Sequence, residues 1–569
     1  MAKFYVISPN VENDNSKTED YLKEMFNNHS ILMGYDTDSR WGQMFADMQS
    51  GDYVICAQGA NWQKKCFFAG MVCGERQGEW PFSRNLKGFV DLRNEKVPFS
   101  TSNTYGASNQ TTAIYELKKD NEADLVIISL IENKVNNTLK KEMILNCSNL
   151  LVANKNMILT GAPGTGKTYL AKEIAMNMGC DEDFIGFVQF HPSYDYTDFV
   201  EGLRPIKKGN TVGLERKDGV FKEFCKKALT LSAGSLFDKA YNNLIQSIES
   251  GKLTTIQLKT KPSAKLDVRG TDSIGWYSET EKGNKSSNVV SRDRLKNLYE
   301  VYNTLEKLDN LTNINEGIQS VIGGCDSTYY WGVLHHMLKQ PFVFIIDEIN
   351  RGEISKIFGE LFYSIDPGYR GGKGKVDTQY QNLIPKEGDI DFEANNADAF
   401  RYGFYVPENV YIIGTMNDID RSVESMDFAM RRRFAWKEIS AKSRQSMLDE
   451  EDAWGENGKP EQVIIDKIKV KMDNLNACII DEYKKELSTK DEIGLTKAYQ
   501  IGAAYFLKYG LYESNQFENL WNNHLEGLLR EYLRGTTDIE DKIQKLKAAY
   551  DDESKNQNEK PRNQEIDKD

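Results

Sequence analysis

Eight consecutive residues, Gly161-Ala162-Pro163-Gly164-Thr165-Gly166-Lys167-Thr168, fit the spacing GxxxxGK[ST]. Glycines in such a loop let backbone N–H groups turn inward around phosphate oxygens, and a helix that follows adds the favourable partial charge of its N-terminus. Lys167 has the reach for the β- and γ-phosphates. Thr168 brings a hydroxyl to Mg2+, an ion that keeps waters and takes few protein ligands. An apolar run at 157–159 precedes the loop and a helical pattern at 169–176 follows it, so the loop joins a strand to a helix.

Three further groups suit the same chemistry. The apolar run 342–346 ends in Asp347-Glu348, a buried strand delivering two carboxylates at its C-terminal edge. Asp347 is placed to hold Mg2+ and Glu348 to orient or deprotonate an attacking water. A second apolar run, 410–413, leads into Gly414-Thr415-Met416-Asn417, and Asn417 is the candidate sensor of the γ-phosphate. Beyond it stand Asp420, Arg421 and the run Arg431-Arg432-Arg433. Guanidinium forks at Arg431 and Arg432 suit charge on a transferring phosphoryl group, often from a neighbouring subunit; a solvated basic helix end is the plainer reading.

The elements that must position these groups divide the chain. Residues 150–440 alternate apolar strands with helices, the pattern of a parallel sheet covered on both faces. The stretch between Lys167 and Asp347 is longer than a minimal core needs, and 230–330 reads as an inserted subdomain. Residues 441–550 are helical and charged, a helical lid, and 551–569 hold a single aliphatic residue, Ile566, the composition of a disordered tail. Residues 1–135 read as a small β-rich domain of short strands and turns with one helix near 17–28, followed by a linker over 136–149. The fold class expected is α/β: a P-loop core of the AAA+ kind with a helical lid, preceded by the β-rich domain.

Four stretches resemble the McrB-like family, AAA+ NTPase subunits of modification-dependent (type IV) restriction systems: GAPGTGKT at 161–168, VQFHPSYDYTDFVEGLRP at 188–205, FIIDEINRGEISKIFGEL at 344–361, and GTMNDIDRS with DFAMRRRF at 414–422 and 427–434. IGAAYF at 501–506 is similar to the family's lid. The family's MNxxDR signature falls on Met416, Asn417, Asp420 and Arg421, with Asp418-Ile419 departing from the commonest pair between them. The resemblance implies a hexameric ring of this chain, hydrolysis of GTP in preference to ATP, a separate McrC-like nuclease subunit, and modified double-stranded DNA as the target. The guanine-reading NKxD of ordinary GTPases is missing; the nearest string, Asn154-Lys155-Asn156-Met157, lacks the acid. ATP therefore stays open on the motifs alone, as does a remodelling protein of the MoxR kind whose N-terminal module binds protein. No PD-(D/E)xK nuclease signature can be placed on the chain.

In such proteins the N-terminal region selects the DNA. Gly51-Asp52-Tyr53-Val54-Ile55-Cys56-Ala57, after Trp41 and before Phe67-Phe68-Ala69-Gly70-Met71-Val72, resembles EVE modules of the PUA superfamily, β-barrels that hold a modified base. A flipped base needs aromatic walls and a few polar groups on its edge. Trp41, Tyr53, Trp62 and Trp80 are the large aromatics at hand, each a core residue on the alternative reading. Between Trp62 and Lys96 seven Lys or Arg stand against four acids, which suits phosphate contacts or a solvated face equally.

A net charge of −13 over 569 residues excludes a surface coated in basic residues and leaves room for a local basic groove. The longest apolar runs are too short to span a bilayer, and 1–10 does not read as a secretory signal. Eight scattered cysteines without a CxxC pair read as buried thiols of a cytoplasmic protein. The basic turn at 369–375 is expected either to face a pore or partner or to be a plain connection.

Overall fold

In the computed structural model, residues 2–9, 11, 17–58, 65–78, 81–97, 114–118, 121–208, 211–229, 234–259, 263–270, 273–277, 289–323, 327–390, 392, 398–419, 428–480 and 495–552 are described. They fall into two units, Met1–Asn146 with Ala441–Asp569, and Cys147–Ser440.

The first unit holds a six-stranded sheet. Its strands are β1 (Phe4–Ile7), β2 (Ser30–Met33), β3 (Tyr53–Gln58), β4 (Lys65–Gln77), β5 (Phe82–Asp91) and β6 (Ile114–Leu117), in the order β2-β5-β4-β3-β1-β6. Only β1 and β3 run parallel. Alternation along β1 serves two cores at once: Tyr5 and Ile7 join Val54, Cys56 and Phe68 beneath the helices α1 (Thr18–Asn28) and α2 (Arg40–Asp47), while Phe4 and Val6 join Tyr53 and Ile55 on the other face. Burial on both faces explains why these strands read as unbroken apolar runs. Among the described residues β2 and β6 stand at the two edges of the sheet.

The second core is sealed by α3 (Glu122–Asn154), through Ile127, Ile128, Ile131 and Val135. The helix continues through 136–149, the stretch expected to link the domains. Gly88 (φ 61°) lets β5 approach so closely that a Cβ there would meet Leu139 Cγ at 2.7 Å, and Tyr53 Oη donates to Asn136 Oδ1 at 2.9 Å. A stretch gripped in this way cannot act as a loose tether. The helices from 441 onward pack in the same unit: Lys469, on a helix spanning Gln462–Ile479, lies 3.0 Å from Glu132 and 2.7 Å from Asp449, and Lys140 lies 3.0 Å from Glu450. Asn476 clamps the backbone of Ile501 from both sides, at 2.7 and 2.9 Å, fixing the start of the 501–506 stretch.

The second unit is built on five parallel strands: β7 (Asn156–Gly161), β8 (Ile185–Gln189), then, after an insertion, strands at Phe342–Asp347, Val410–Asn417 and Ala435–Glu438. Between β8 and the insertion lies a hairpin, β9 (Glu201–Lys208) and β10 (Thr211–Asp218), unforeseen in the sequence reading. The insertion contributes a four-stranded antiparallel sheet, β11 (Thr255–Gln257), β12 (Ser263–Arg269), β13 (Ser273–Tyr277) and β14 (Val289–Val290), with helices around it. The parallel strands that follow are β15 (Phe342–Asp347), β16 (Val410–Asn417) and β17 (Ala435–Glu438), and the sheet order is β17-β7-β16-β15-β8. Counted along the chain this is 5-1-4-3-2, which sets the strand bearing the glycine loop beside the strand bearing Asn417, and that strand beside the one bearing Asp347.

The basic turn at 369–375 is partly inward. Arg370 is buried, donating to Ile365 O at 3.2 Å, to Val410 O at 3.1 Å and to Asn156 Oδ1. Burial lowers its pKa to about 10, the guanidinium serving as a strut under β7 and β16. Among the described residues no helix is long and apolar enough to cross a membrane. Cys56, Cys66, Cys147, Cys180 and Cys225 are buried free thiols, and Cys325 lies outside the described residues.

Candidate nucleotide site

Among the described residues, Gly161, Asp347 and Asn417 end parallel strands at the C-terminal edge of the sheet, where such sheets bind ligands. The fully buried β7 leaves the sheet at Gly161 (φ 141°), where a Cβ would strike Ile439 O at 2.2 Å, so only glycine fits. Gly164 and Gly166 turn through left-handed backbone at φ 75° and 74°. Gly166 precedes the helix Lys167–Asn177 without any side-chain cap, which leaves that helix's first N–H groups to the loop's interior. Thr165 Oγ1 donates to Ala162 O at 3.0 Å and braces the loop from within.

Lys167 is buried at 7% exposure, its ammonium on Gly161 O (3.1 Å), Ala162 O (2.8 Å) and Asn417 Oδ1 (2.9 Å). Phosphate oxygens would compete for the same three donors. Thr168 Oγ1 donates to Asp347 Oδ1 at 2.6 Å. Glu348 adopts left-handed backbone (φ 52°, ψ 46°), which swings its carboxylate from the strand's end towards Asn417, whose Nδ2 donates to Glu348 Oε1 at 2.7 Å. Arg351 Nε lies 3.4 Å from Glu348 Oε2. The oxygen donors Thr168, Asp347 and Glu348 are hard ligands that fit Mg2+. Among the described residues no group of three or more His, Cys, Asp or Glu is placed to hold a metal ion. Asp418, adjoining the sensor, has its carboxyl pushed up by burial, with Lys167 opposing.

The structure thus brings Gly161 to Thr168, Asp347, Glu348 and Asn417 into one place. Asp420 and Arg421 lie outside the described residues. The three consecutive arginines differ. Arg431 stacks over the Trp436 ring at 4.9 Å, and Arg433 turns inward to Ala429 O at 2.7 Å. Arg432 is exposed, without a side-chain partner among the described residues.

Of the four aromatics expected at a base pocket, Trp41 and Tyr53 are among the described residues. Tyr53 is corrected to a core residue: it is 6% exposed, stacked on Phe4 at 4.7 Å between centroids, and burial drives its hydroxyl pKa up. Trp41 packs partly buried against the first apolar core, with Arg40 over its ring at 5.4 Å. Trp62 and Trp80 lie outside the described residues.

Sequence reading missed two groups. Thr415, 2% exposed, donates to Asp347 Oδ1 at 2.6 Å and accepts from the Glu348 amide at 3.2 Å. Its signal was there: it stands two residues before Asn417 on one strand, hence on the same face. The other is Glu201, at the base of the hairpin, fully buried with Lys222 (2.6 Å) and Arg216 (3.0 Å). A charged pair far apart in sequence leaves no local pattern.

Residues 156–292 and 316–434 match the sequence pattern of the AAA domain, dynein-related subfamily. This part of the chain is similar to that domain. Its match opens at the start of β7 and ends beside Arg433, so it encloses every phosphate-site residue named above. Two curated relatives come from restriction systems. The type IV methyl-directed restriction enzyme EcoKMcrB subunit of Escherichia coli (strain K12) is 27% identical over 394 residues, 67% of this chain and 54% of that protein. The type II restriction enzyme BsuMI component YdiS of Bacillus subtilis (strain 168) is 20% identical over 370 residues, 64% of this chain and 76% of that protein. The chain thus spans about half the length of the first of these. Among solved structures, C. elegans PCH-2 covers 96% of this chain and 98% of its own at 12% identity and a TM-score of 0.17, too loose a superposition to inform the fold.

Proposed function

We propose that this chain is the GTP-hydrolysing motor and DNA-recognition subunit of a McrBC-like, modification-dependent restriction complex, active in the cytoplasm, and that it activates a separate McrC-like nuclease subunit. The observation that carries the reading is the Asn417 amide: within an AAA domain whose relatives are restriction components, one side chain touches both the phosphate-binding lysine and the water-activating glutamate.

Lys167 and the N-terminus of the helix Lys167–Asn177 bind the phosphates. Thr168 and Asp347 hold Mg2+, which when bound neutralises charge developing on the phosphoryl oxygens. Glu348 orients the attacking water and takes its proton, while Asn417, on leaving Lys167 for the γ-phosphate, reports that the substrate is in place. Arg432, and less directly Arg431, completes the site of a neighbouring copy, which requires a ring; a hexamer is the expected assembly. Asp420 and Arg421 couple the site to the nuclease subunit. Modified double-stranded DNA is read by the N-terminal sheet, in the manner of an EVE module.

Purified full-length protein tests this with GTP and ATP side by side, and with modified and plain duplexes of one sequence. Faster turnover of GTP and tighter binding of the modified duplex are expected. Preference for ATP would sink the GTP assignment, and equal binding of the two duplexes would sink the reader.

A further inference from the structure

Strand β16 lies between β7 and β15, and its register decides what it touches. Ile346 pairs with Gly414, which sets Thr415 beside Asp347; Asn417 pairs with Gly161, which sets Asn417 beside the phosphate loop. Two side chains on one face of one strand therefore reach both halves of the site. Asn417 is accounted for as a sensor, whereas Thr415 has no part in the mechanism above.

We propose that Thr415 is a positioning residue for hydrolysis, its single hydroxyl holding the Asp347 carboxylate and the Glu348 backbone in their working orientations at once. The hydroxyl has one proton, and it goes to Asp347 Oδ1 at 2.6 Å. A lone pair then accepts the Glu348 N–H at 3.2 Å. Both bonds are needed for different reasons. Asp347 Oδ1 also takes the Thr168 hydroxyl at 2.6 Å, so the two threonines clamp the carboxylate from the glycine-loop side and from the sheet side. Glu348 stands at φ 52°, a conformation that residues with a side chain keep only where their surroundings hold it. The bond from its amide to Thr415 is a holding contact, and the same turn directs Glu348 Oε1 to Asn417. At 2% exposure Thr415 has no water to substitute for either bond.

This assignment rests on the nucleotide reading of the site, not on the choice of base or on DNA. The test uses the full-length protein with Thr415→Val, which keeps shape and loses the hydroxyl, and Thr415→Ser, which keeps the hydroxyl and loses the methyl. Binding of fluorescent, non-hydrolysable GTP and ATP analogues is titrated with and without Mg2+, and turnover is measured in parallel. Groups that orient metal ligands cost about 10–100-fold when removed. Thr415→Val should therefore bind the analogue as the parent does without Mg2+, lose about tenfold or more of the Mg2+-dependent gain, and fall at least as far in kcat. Thr415→Ser should stay close to the parent in both. A Thr415→Val protein with the parent's Mg2+ response overturns the assignment. So does a Thr415→Ser protein as impaired as Thr415→Val, since the methyl's packing would then be what matters. A parent that binds neither analogue overturns the nucleotide reading, and this assignment with it.

Discussion

Lys167 Nζ donates to Asn417 Oδ1 at 2.9 Å, so the phosphate-binding cation and the sensor amide hold one another directly. Because the same amide also donates to Glu348, substrate that draws Lys167 away alters the hydrogen bonding of the catalytic carboxylate through one side chain. Asn417→Ala should bind nucleotide within a few-fold of the parent and lose about 10²–10³ in kcat, the scale of a lost preorganised donor. Steady-state kinetics beside analogue binding measures both, and an effect confined to affinity would contradict the sensor role.

Glu348→Gln keeps the amide contact to Asn417 but gives up the base. Turnover should fall by about 10²–10⁴ with binding retained, whereas Lys167→Ala should fail at binding itself. Equilibrium binding separates the two, and a Glu348→Gln protein still turning over at the parent's rate would remove Glu348 from the mechanism.

The environments of Arg431 and Arg432 predict unequal consequences. Both are exposed, but Arg431 stacks on Trp436, and Trp436 Nε1 donates back to Arg431 O at 3.2 Å. Arg432→Ala should cost about 10³ in turnover and recover part of it when mixed with Glu348→Gln subunits, each supplying what the other lacks. Arg431→Ala should cost less. The reverse order, or no recovery on mixing, would assign the trans role elsewhere.

Glu201 predicts how the second unit responds to acid. Burial raises its carboxyl pKa, but the hydrogen bonds from Lys222 and from the Tyr380 amide outweigh burial and leave it lowered. A lowered carboxyl stabilises the fold above its ordinary range, and that stability is lost as pH falls through the folded value. The melting temperature of the second unit should drop from about pH 5 downward. Glu201→Gln should remove part of that dependence and cost about 3–5 kcal/mol at neutral pH, because Lys222 stays buried. Thermal melts across pH would show both, and a neutral substitution would mean that the pair contributes nothing.

In the N-terminal unit, Tyr53→Phe removes one hydrogen bond to Asn136 and should cost about 1 kcal/mol while leaving DNA binding unchanged. Trp41→Ala should weaken binding of the modified duplex. Full affinity in Trp41→Ala would direct the search to the surface around Trp62 and Trp80.

Contiguous signals were legible in the sequence. The loop 161–168, the acids 347 and 348 and Asn417 each end an apolar strand run, and a strand's end is a local property of backbone and side-chain alternation. The helix α1 and the helix opening at 167 likewise lie where periodicity put them. Errors arose where local polarity gave the wrong answer. Residues 136–149 look like a polar connector, yet Leu139 lies beside Gly88 and Asn136 accepts from the Tyr53 hydroxyl. Arg370 looks like a solvated turn and is a buried strut.

By itself the sequence determined which residue types could handle a phosphate, because the glycine loop with its lysine and the paired carboxylates are each a short contiguous signal at the end of an apolar run. Tertiary structure alone decided how they are joined. Strand order 5-1-4-3-2 seats β16 between the glycine loop and Asp347, and only that adjacency makes Asn417 a bridge and Thr415 a clamp. Burial likewise separated Tyr53 from Trp41, since the environment of a side chain is set by elements far away in the chain, which no local spacing encodes.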